Sequence, residues 1–330
     1  MFSDGHFFYG ETMTHRLWLA PMQGYTELLF RNVYAEIFSG MDLAVSPFIS
    51  ALPEGRSKDR EWNDVLPDLN TKMPVIPQMM GNVADDLVLL ANRLYDLGHP
   101  VVNLNLGCPY KMVAKKKKGS GILCFPDELD ALLERLVGGM KGRLSIKTRL
   151  GRHTREEFHD LVSIYNRYPL EDLIVHPRTG VQMYTGGPDL DFFEAVLPEI
   201  AHRVIYNGDL WSLARFKELS KRFPTISDWM IGRWAISNPF LPAEIKGARF
   251  DEETKLHLLK RFHDAIYERQ VERLEGPGHV TSVMKAFWVY FKDAFENGDR
   301  LFKPLRRITD PAAYEVAVEQ LFAGRPSVAD

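Results

Sequence analysis

Short apolar stretches alternate with longer amphipathic stretches along the first 240 residues of this chain. Each apolar stretch is only four or five residues long, which is typical of buried strands in a parallel sheet. Eight such stretches are predicted to be strands: Leu17–Ala20, Asp42–Ser46, Val75–Met79, Val101–Asn105, Leu144–Thr148, Asp172–His176, Arg203–Asn207 and Trp229–Gly232.

The stretches between these strands have the apolar spacing of helices that bury one face. The clearest are Asp85–Leu97, Asp127–Met140, Arg155–Tyr168, Asp191–Ile200 and Leu210–Phe223. Eight strand–helix units in one chain fit a (β/α)₈ TIM barrel better than an open doubly wound sheet. No Gly-x-Gly-x-x-Gly sequence follows the first strand, so a dinucleotide-binding Rossmann domain is not indicated. We therefore predict an α/β fold built on a TIM barrel.

The pattern changes after Phe240, because residues 251–323 contain no β-type stretch and helical spacing dominates. We predict a barrel domain over residues 1–245 and an all-helical domain over residues 246–330. Within Thr281–Asn297, aromatic and apolar residues recur at helical spacing and are predicted to be core: Met284, Phe287, Trp288, Phe291 and Phe295. Lys285 and Lys292 are seven residues apart and are expected on another face of that helix.

Composition narrows the class of protein. The chain has 330 residues, of which 45% are hydrophobic and 26% charged, as in ordinary soluble enzymes. It has no apolar stretch of the length that crosses a bilayer and no secretory signal, and its two cysteines cannot form a disulfide framework. We expect a cytoplasmic protein without a metal site. The net charge of −3 argues against indiscriminate nucleic-acid binding but allows a local basic surface.

Nearly every predicted strand ends on polar or cationic residues, although its interior is apolar. The active sites of TIM barrels lie at these carboxyl ends, so the sequence predicts one ring of functional side chains there. Its members are Pro21, Met22 and Gln23, Ser46, Gln78, Asn105 and Cys108, Lys147 and Arg149, His176 and Arg178, Asn207, Gly208 and Asp209, and Gly232 and Arg233.

The glycines after the seventh and eighth strands, together with Arg233, indicate a phosphate site. A phosphate site beside Gln78, Lys147 and His176 suits flavin mononucleotide (FMN). Gln78 and His176 are expected to bond the polar edge of the flavin ring, with Met22 against its face. Lys147 would stabilise the anionic reduced ring.

Three of these features have alternative interpretations. Cys108 is either a proton donor or nucleophile at a strand end, or a small buried apolar residue, which is the interpretation that we adopt for Cys124. Lys147 could instead form an inward salt bridge or the Schiff base of an aldolase-type barrel. The run Lys115–Lys118 is either a solvated face or a set of phosphate contacts.

As a set, the motifs resemble the tRNA-dihydrouridine synthase family. They occur in the family's order from about Leu17 to Phe240: Leu19-Ala20-Pro21-Met22, Asn105-Leu106-Gly107-Cys108-Pro109, Gly119-Ser120-Gly121, Ile146-Lys147-Thr148-Arg149, Val175-His176-Pro177-Arg178-Thr179, Asn207-Gly208-Asp209, and Ile231-Gly232-Arg233 followed by Asn238-Pro239.

The resemblance implies an FMN enzyme that uses NADPH to reduce the C5–C6 double bond of uridines in tRNA. By that likeness, hydride passes from flavin N5 to C6 and Cys108 gives the proton to C5, while Asn105 and Arg178 contact the flipped-out uracil or the flavin. The barrel would be the FMN-binding domain. FMN would be held by Pro21, Met22, Gln78, Lys147, His176, Asn207, Gly208, Asp209, Gly232 and Arg233.

Family members also carry a helical tRNA-binding domain after the barrel. The basic residues Lys285, Lys292, Arg306 and Arg307 are expected to dock tRNA as a local basic patch, which the likeness supports, and we expect a monomer. The stretch 301–308 is most similar to the bacterial subgroup that modifies uridine 16 of the D-loop. Two departures stand out, since Ser46-Pro47 replaces the usual Thr-Glu and Asn103 replaces an acidic residue.

Two other classes remain open. One is an FMN barrel that acts on a small pyrimidine, as dihydroorotate dehydrogenases do, although such an enzyme has no use for basic C-terminal helices. The other is a catalytically silent tRNA-binding protein that keeps a flavin pocket, against which the intact Cys108, Lys147 and His176 argue.

Overall fold

Eight parallel strands close into a barrel in sequence order, each hydrogen-bonded to the next, with the eighth bonded to the first. The structure is a computed structural model that describes residues 15–274 and 277–329. The predicted TIM barrel is confirmed. Its strands are β1 (Arg16–Leu19), β2 (Leu43–Ser50), β3 (Val75–Met80), β4 (Val101–Leu106), β5 (Arg143–Arg149), β6 (Leu170–His176), β7 (Val204–Asn207) and β8 (Asp228–Ile231).

Helices cover the barrel and then continue beyond it. They are α1 (Leu28–Ile37), α2 (Asp59–Asn63), α3 (Ala84–Asp96), α4 (Lys111–Ala114), α5 (Pro126–Gly139), α6 (Glu157–Tyr165), α7 (Leu190–Val196), α8 (Leu213–Arg222), α9 (Trp234–Ser237), α10 (Leu241–Ile245), α11 (Glu252–Arg273), α12 (Pro277–Phe291), α13 (Gly298–Leu305) and α14 (Pro311–Ala323). Short 3₁₀ turns lie at Pro53–Gly55, Pro67–Leu69, Gly119–Gly121, Leu197–Glu199 and Lys292–Ala294.

Two apolar layers follow from the alternation of side chains along each strand. In β1, Leu17 and Leu19 belong to the large core between the strands and the helices. Trp18 belongs instead to a small cluster to which β2, β6, β7 and β8 also contribute, so this cluster fills the barrel interior. Because both faces of the strands are covered, β4 is buried along its whole length.

Strand β2 is longer than predicted, since it runs to Ser50 and not to Ser46. Pro47 has no N–H for the ladder, and the pairing with β3 shifts register between Val45 and Phe48. Ser46 compensates, because its Oγ accepts the backbone N–H of Gln78 at 3.0 Å. The departure Ser46-Pro47 therefore lies in a bulge that the structure accommodates.

The C-terminal helices pack through aromatic residues against one side of the barrel. The ring of Phe262 in α11 lies 5.6 Å from Phe30 of α1 and 5.7 Å from Phe287 of α12, measured between centroids. The five residues predicted as the apolar face of α12 and its continuation are all buried, which confirms that prediction. The division of the chain at residue 245 stays a prediction. Across the described ranges, no helix is long and apolar enough to span a bilayer.

Candidate active site

A cavity of about 310 Å³ opens where the carboxyl ends of the strands meet. The ring of polar strand ends predicted from the sequence surrounds it. Fourteen residues of that ring border this cavity: Pro21, Met22, Gln23, Gln78, Asn105, Cys108, Lys147, Arg149, His176, Asn207, Gly208, Asp209, Gly232 and Arg233.

Several bordering residues were not assigned to the site from the sequence. Six of them are aromatic: Tyr25, Phe48, Tyr110, Tyr184, Trp234 and Tyr290. Tyr290 belongs to α12, and its ring makes an edge contact with Tyr25 at 5.0 Å between centroids. The helical segment therefore forms part of the cavity wall.

Side-chain and backbone contacts hold the loop that carries Cys108. Asn105 Oδ1 accepts the backbone N–H groups of Gly107 at 3.0 Å and Cys108 at 2.9 Å. Ser120 donates both its backbone N–H (3.0 Å) and its hydroxyl (2.9 Å) to the carbonyl of Cys108. Gly119 has φ +55°, and a Cβ there would lie 2.7 Å from the Cβ of Cys108. Both the positive φ and the close approach to Cys108 therefore require a residue without a side chain at position 119.

The Cys108 thiol is the proton-bearing form at neutral pH. Burial raises its pKa above the ordinary cysteine value, and this outweighs the opposite effect of the nearby Arg149 and Lys147 charges. Cys124 lies outside the cavity, where its Sγ is 3.7 Å from the Gly121 carbonyl, and because it is only partly buried its assignment to packing stays a prediction. Only Cys108 is therefore placed to act on a ligand in the cavity.

Lys147 faces the cavity without a compensating carboxylate among the described residues. The alternative of an inward salt bridge is therefore wrong for this lysine. Burial, and then the charge of Arg149, lower the pKa of Lys147 to about 7. An anionic ligand beside Nζ would favour the charged ammonium and be stabilised by it.

His176 is a neutral imidazole with a defined tautomer. Burial, followed by the charges of Arg149 and Lys147, holds its pKa well below the ordinary value. Arg178 Nη1 lies 3.0 Å from His176 Nε2, and a guanidinium can only donate. Nε2 therefore accepts, and the ring proton is on Nδ1. His176 can thus donate one hydrogen bond to a ligand acceptor.

Arg178 itself does not border the cavity, unlike the expectation that it contacts a bound ring. Its buried guanidinium bonds the Gly186 carbonyl at 2.6 Å and Asp209 Oδ1 at 3.1 Å, in addition to His176. Gly186 and Asp209 come from the loops after β6 and β7, so these two contacts could not be read from the sequence. Arg178 supports His176 and Asp209 from outside the cavity wall.

The loops after β7 and β8 give the cavity a cationic corner. Arg233 Nη2 lies 3.2 Å from Asp209 Oδ1, which also pairs with Arg178. Two guanidinium groups against one carboxylate leave a net positive charge for an anion. Gly208 lies close to Tyr206, because a Cβ there would be 3.0 Å from the tyrosine hydroxyl. The indole N–H of Trp234 is buried beside this corner without a described partner.

Arg149 connects the Cys108 loop to the loop after β6. Its Nε donates to the Gly107 carbonyl at 2.9 Å, and its Nη1 donates to the carbonyls of Thr179 (2.9 Å) and Met183 (2.7 Å). Its guanidinium also lies 5.3 Å from the ring centroid of Tyr184. Arg149 therefore holds together the loops after β4 and β6, the two strands that flank its own strand β5.

The basic residues assigned to tRNA docking lie outside the cavity. Lys285 is half-buried on α12, whereas Arg306 and Arg307 are exposed after α13. Lys292 begins the 3₁₀ turn after α12, and its Nζ pairs with Asp293 at 2.8 Å and with Asp299 at 3.1 Å. Its charge is therefore largely compensated within the protein.

The four lysines after the Cys108 loop differ in exposure and in their contacts. Lys115 and Lys116 are exposed, and Lys118 is partly buried. Lys117 pairs with Glu128 at 2.5 Å and lies 4.1 Å from the ring centroid of Phe125. One of the four charges is therefore used within the protein, and both interpretations of the run remain open.

Comparisons with known proteins agree with this geometry. The chain is 27% identical over 326 residues to the tRNA-dihydrouridine(16) synthase of Cupriavidus necator, covering 95% of this chain and 98% of the relative. It is 29% identical over 241 residues to the tRNA-dihydrouridine synthase B of Vibrio vulnificus, covering 71% of each.

Among solved structures, an old yellow enzyme homologue from Zymomonas mobilis has a similar fold. The TM-score is 0.50 at 15% identity, covering 75% of this chain and 94% of that one. A family model described as dihydrouridine synthase (Dus) matches residues 18–323. The chain therefore belongs to the dihydrouridine synthase family.

Proposed function

We propose that this protein is an FMN-dependent tRNA-dihydrouridine synthase that takes its electrons from NADPH. The observation that carries the proposal is a single cavity with two chemically different sides. One side holds Cys108 as a protonated thiol, and the other holds the cationic corner formed by Arg233 with the glycine loops. A proton donor and an anion site in one cavity suit reduction by a phosphorylated cofactor.

The residues present fit FMN. Arg233 and the backbone around Gly208 and Gly232 would hold its phosphate, and the unpartnered Trp234 N–H offers a further donor. Lys147 and the Nδ1–H of His176 supply positive charge and a donor to carbonyl oxygens of the ring. When bound, FMN supplies the hydride that is added to the pyrimidine.

Cys108 would supply the proton. Reduction of the uracil C5–C6 bond develops negative charge at C5, which needs an acid on that side of the ring. The raised pKa of Cys108 keeps the thiol protonated near neutral pH, and Asn105 fixes its loop. Because a base in folded RNA cannot reach a recessed thiol, the uridine must be extruded into the cavity. Arg149 and Asn105 border the space that it would occupy.

The C-terminal helices would dock tRNA beside this opening. We assign residues 1–245 to catalysis and residues 246–330 to tRNA binding, with Lys285, Arg306 and Arg307 as phosphate contacts. Tyr290 of α12 borders the cavity, so RNA bound to these helices lies next to the site. Uncompensated cations on a protein of net charge −3 favour local and not general RNA binding. Lys292 is the weakest member of this set, since two carboxylates pair with it.

The modified position is proposed to be uridine 16 of the D-loop. Relatives from Cupriavidus necator and Aquipseudomonas alcaligenes are named tRNA-dihydrouridine(16) synthases, and the latter is 25% identical over 302 residues. Both alignments span the barrel and the C-terminal helices, which is where a choice among uridines would be made.

The proposal is tested by reconstituting the protein with FMN and offering it unmodified tRNA and NADPH without oxygen. Mass-spectrometric mapping should find dihydrouridine at position 16, and NADH should be the poorer donor. Free uracil and orotate serve as competing substrates. Reduction of orotate but not of tRNA would assign the protein to the dihydroorotate dehydrogenase type. Failure to retain FMN after gel filtration would refute the cofactor.

A further inference from the structure

A continuous chain of buried polar side chains runs through the barrel below the cavity. Asn105 Nδ2 donates to Gln78 Oε1 at 2.7 Å, and Gln78 Nε2 donates to Asn103 Oδ1 at 2.8 Å. Asn103 Nδ2 donates to Ser145 Oγ at 2.7 Å, and the Ser145 hydroxyl bonds Asp172 Oδ1. Gln78, Asn103, Ser145 and Asp172 are completely inaccessible to solvent.

The two ends of this chain fix the direction of every bond in it. At the upper end, the backbone N–H groups of Gly107 and Cys108 can only donate, so they require the oxygen of Asn105. At the lower end, the Asp172 carboxylate can only accept, so Ser145 must donate to it. Each end alone determines which atom of each amide between them donates and which accepts, and the two ends give the same result. Only one orientation of the amides therefore satisfies every hydrogen bond in the chain.

Asp172 anchors the lower end as an anion. Its second oxygen, Oδ2, lies 3.2 Å from Nη2 of Arg203, a side chain that is 38% exposed just before β7. Burial raises the pKa of Asp172, whereas Ser145 and Arg203 act in the opposite direction. The chain therefore spans the barrel from a cation at one mouth to the Cys108 loop at the other.

Asn103 is the link that only an amide can provide, because it accepts from Gln78 and donates to Ser145. A carboxylate at this position could accept from Gln78 but would have no proton for Ser145. Ser145 would then face two carboxylates with one hydroxyl hydrogen. An ionised aspartate at this position would thus break the chain in this barrel.

We propose that Asn103, Ser145 and Asp172 are positioning residues that act on Cys108 through Gln78 and Asn105. None of the three borders the cavity. They fix which atom of Asn105 faces the Cys108 loop, and hence where the thiol is held. The effect on uridine reduction rests on the proposed function, but the effect on the loop itself does not.

The test exchanges the acid and the amide between two strands. In Asn103→Asp, both carboxylates compete for Ser145. In Asp172→Asn, the lower end can either donate or accept, so it no longer fixes the direction of the hydrogen bonds in the chain. The double variant restores every link, because the amide moved to β6 would accept from Arg203 and donate to Ser145, which in turn donates to the carboxylate moved to β4. All variants are nearly isosteric, and the readouts are taken across the alkaline pH range, because a protonated carboxyl at position 103 would donate to Ser145 and hide the effect.

Two quantities are measured on the FMN-loaded protein, because this selection excludes unfolded molecules from both measurements. Hydrogen exchange of the Gly107 and Cys108 amides measures the loop directly. Single-turnover reduction of tRNA uridine measures its consequence. For Asn103→Asp we expect faster exchange and a rate about tenfold lower, with little change in KM for tRNA, as for other supporting groups around reactive residues. The double variant should recover both readouts.

The matched control is Asn166→Asp, an exposed asparagine that also both donates and accepts, to Glu199 and from Ala201, far from the cavity. It should leave both readouts unchanged. Unchanged exchange in Asn103→Asp, or a double variant no better than that single one, would overturn the proposal. Recovery of amide protection in the double variant, with no uridine reduction by any form including the wild type, would support the chain and refute the proposed function alone.

Discussion

The side chain of Asn105 holds the backbone of Cys108, since Oδ1 accepts the Cys108 N–H at 2.9 Å. A buried residue near the carboxyl end of β4 thereby sets the position of the proposed proton donor three residues later. Ser120 and Arg149 hold the same loop from its other side, at the carbonyls of Cys108 and Gly107. The thiol is presented by a supported loop and not by a free one.

Replacement of Cys108 by alanine should abolish most uridine reduction while FMN and tRNA binding persist. The backbone contacts of the loop do not depend on Sγ, so only the acid is lost. We expect the single-turnover rate to fall about a hundredfold or more, as for other positioned acids. The measurement is anaerobic mixing of reduced, FMN-loaded protein with tRNA.

Cys124→Ala is the matched control, because Cys124 lies outside the cavity. It should react at the wild-type rate. A Cys108→Ala protein that reduces uridine normally would exclude Cys108 as the donor.

Alkylation of Cys108 should require unusually high pH. Iodoacetamide reacts with the thiolate, and burial raises the pKa of this thiol. In a Cys124→Ser background, the midpoint of the rate against pH should therefore lie above that of glutathione. Lys147→Met should leave it nearly unchanged, since a lysine with a pKa of about 7 is neutral at the pH where this thiol ionises. A midpoint below the ordinary thiol value would contradict the proton-donor role.

Arg149→Lys should slow the reaction although the charge is conserved. A lysine cannot reproduce the fork that bonds the carbonyls of Gly107, Thr179 and Met183. We expect kcat/KM for tRNA to fall about tenfold or more, as when a supporting contact of a reactive group is removed. Arg222→Lys, on the barrel exterior, is the control and should be neutral. Equal activity of both variants would show that the link between the two loops is dispensable.

Charge reversal on the C-terminal helices should weaken tRNA binding alone. Lys285→Glu with Arg306→Glu places two carboxylates where phosphates would dock, so KM for tRNA should rise and become less dependent on salt. FMN content should not change, because neither side chain borders the cavity. Lys217→Glu with Lys221→Glu, on exposed positions of α8, is the control. A loss of FMN in the first variant would show that its residues are structural.

Much of the barrel was predictable because every strand ends at the rim of the barrel, so the end of an apolar run in the sequence locates the rim. An apolar run that closes on a polar residue marks a point on the rim, and β4 with Asn105 is the clearest example. The alternation that puts Trp18 inside and Leu17 outside is likewise a local property of the strand. Both features depend on neighbours in sequence, which periodicity reports directly.

What could not be predicted depends on contacts between distant segments. Arg178 follows a strand just as Arg149 ends one, but Asp209 and Gly186 draw its guanidinium out of the cavity wall. Tyr290 enters the cavity wall because α12 docks on the barrel, where Ser237 donates to the Tyr290 carbonyl at 2.9 Å. Helical spacing alone gives no sign of such docking.

The central claim is that one cavity joins flavin chemistry to a tRNA uridine with Cys108 as the acid. Its most direct test is to reduce the FMN-loaded protein without oxygen, add unmodified tRNA, and follow flavin reoxidation and dihydrouridine together. We predict that reoxidation accelerates with tRNA and yields one dihydrouridine for each flavin oxidised, and that Cys108→Ala loses both. A reoxidation rate that does not depend on tRNA, or reoxidation without formation of dihydrouridine, would contradict the account.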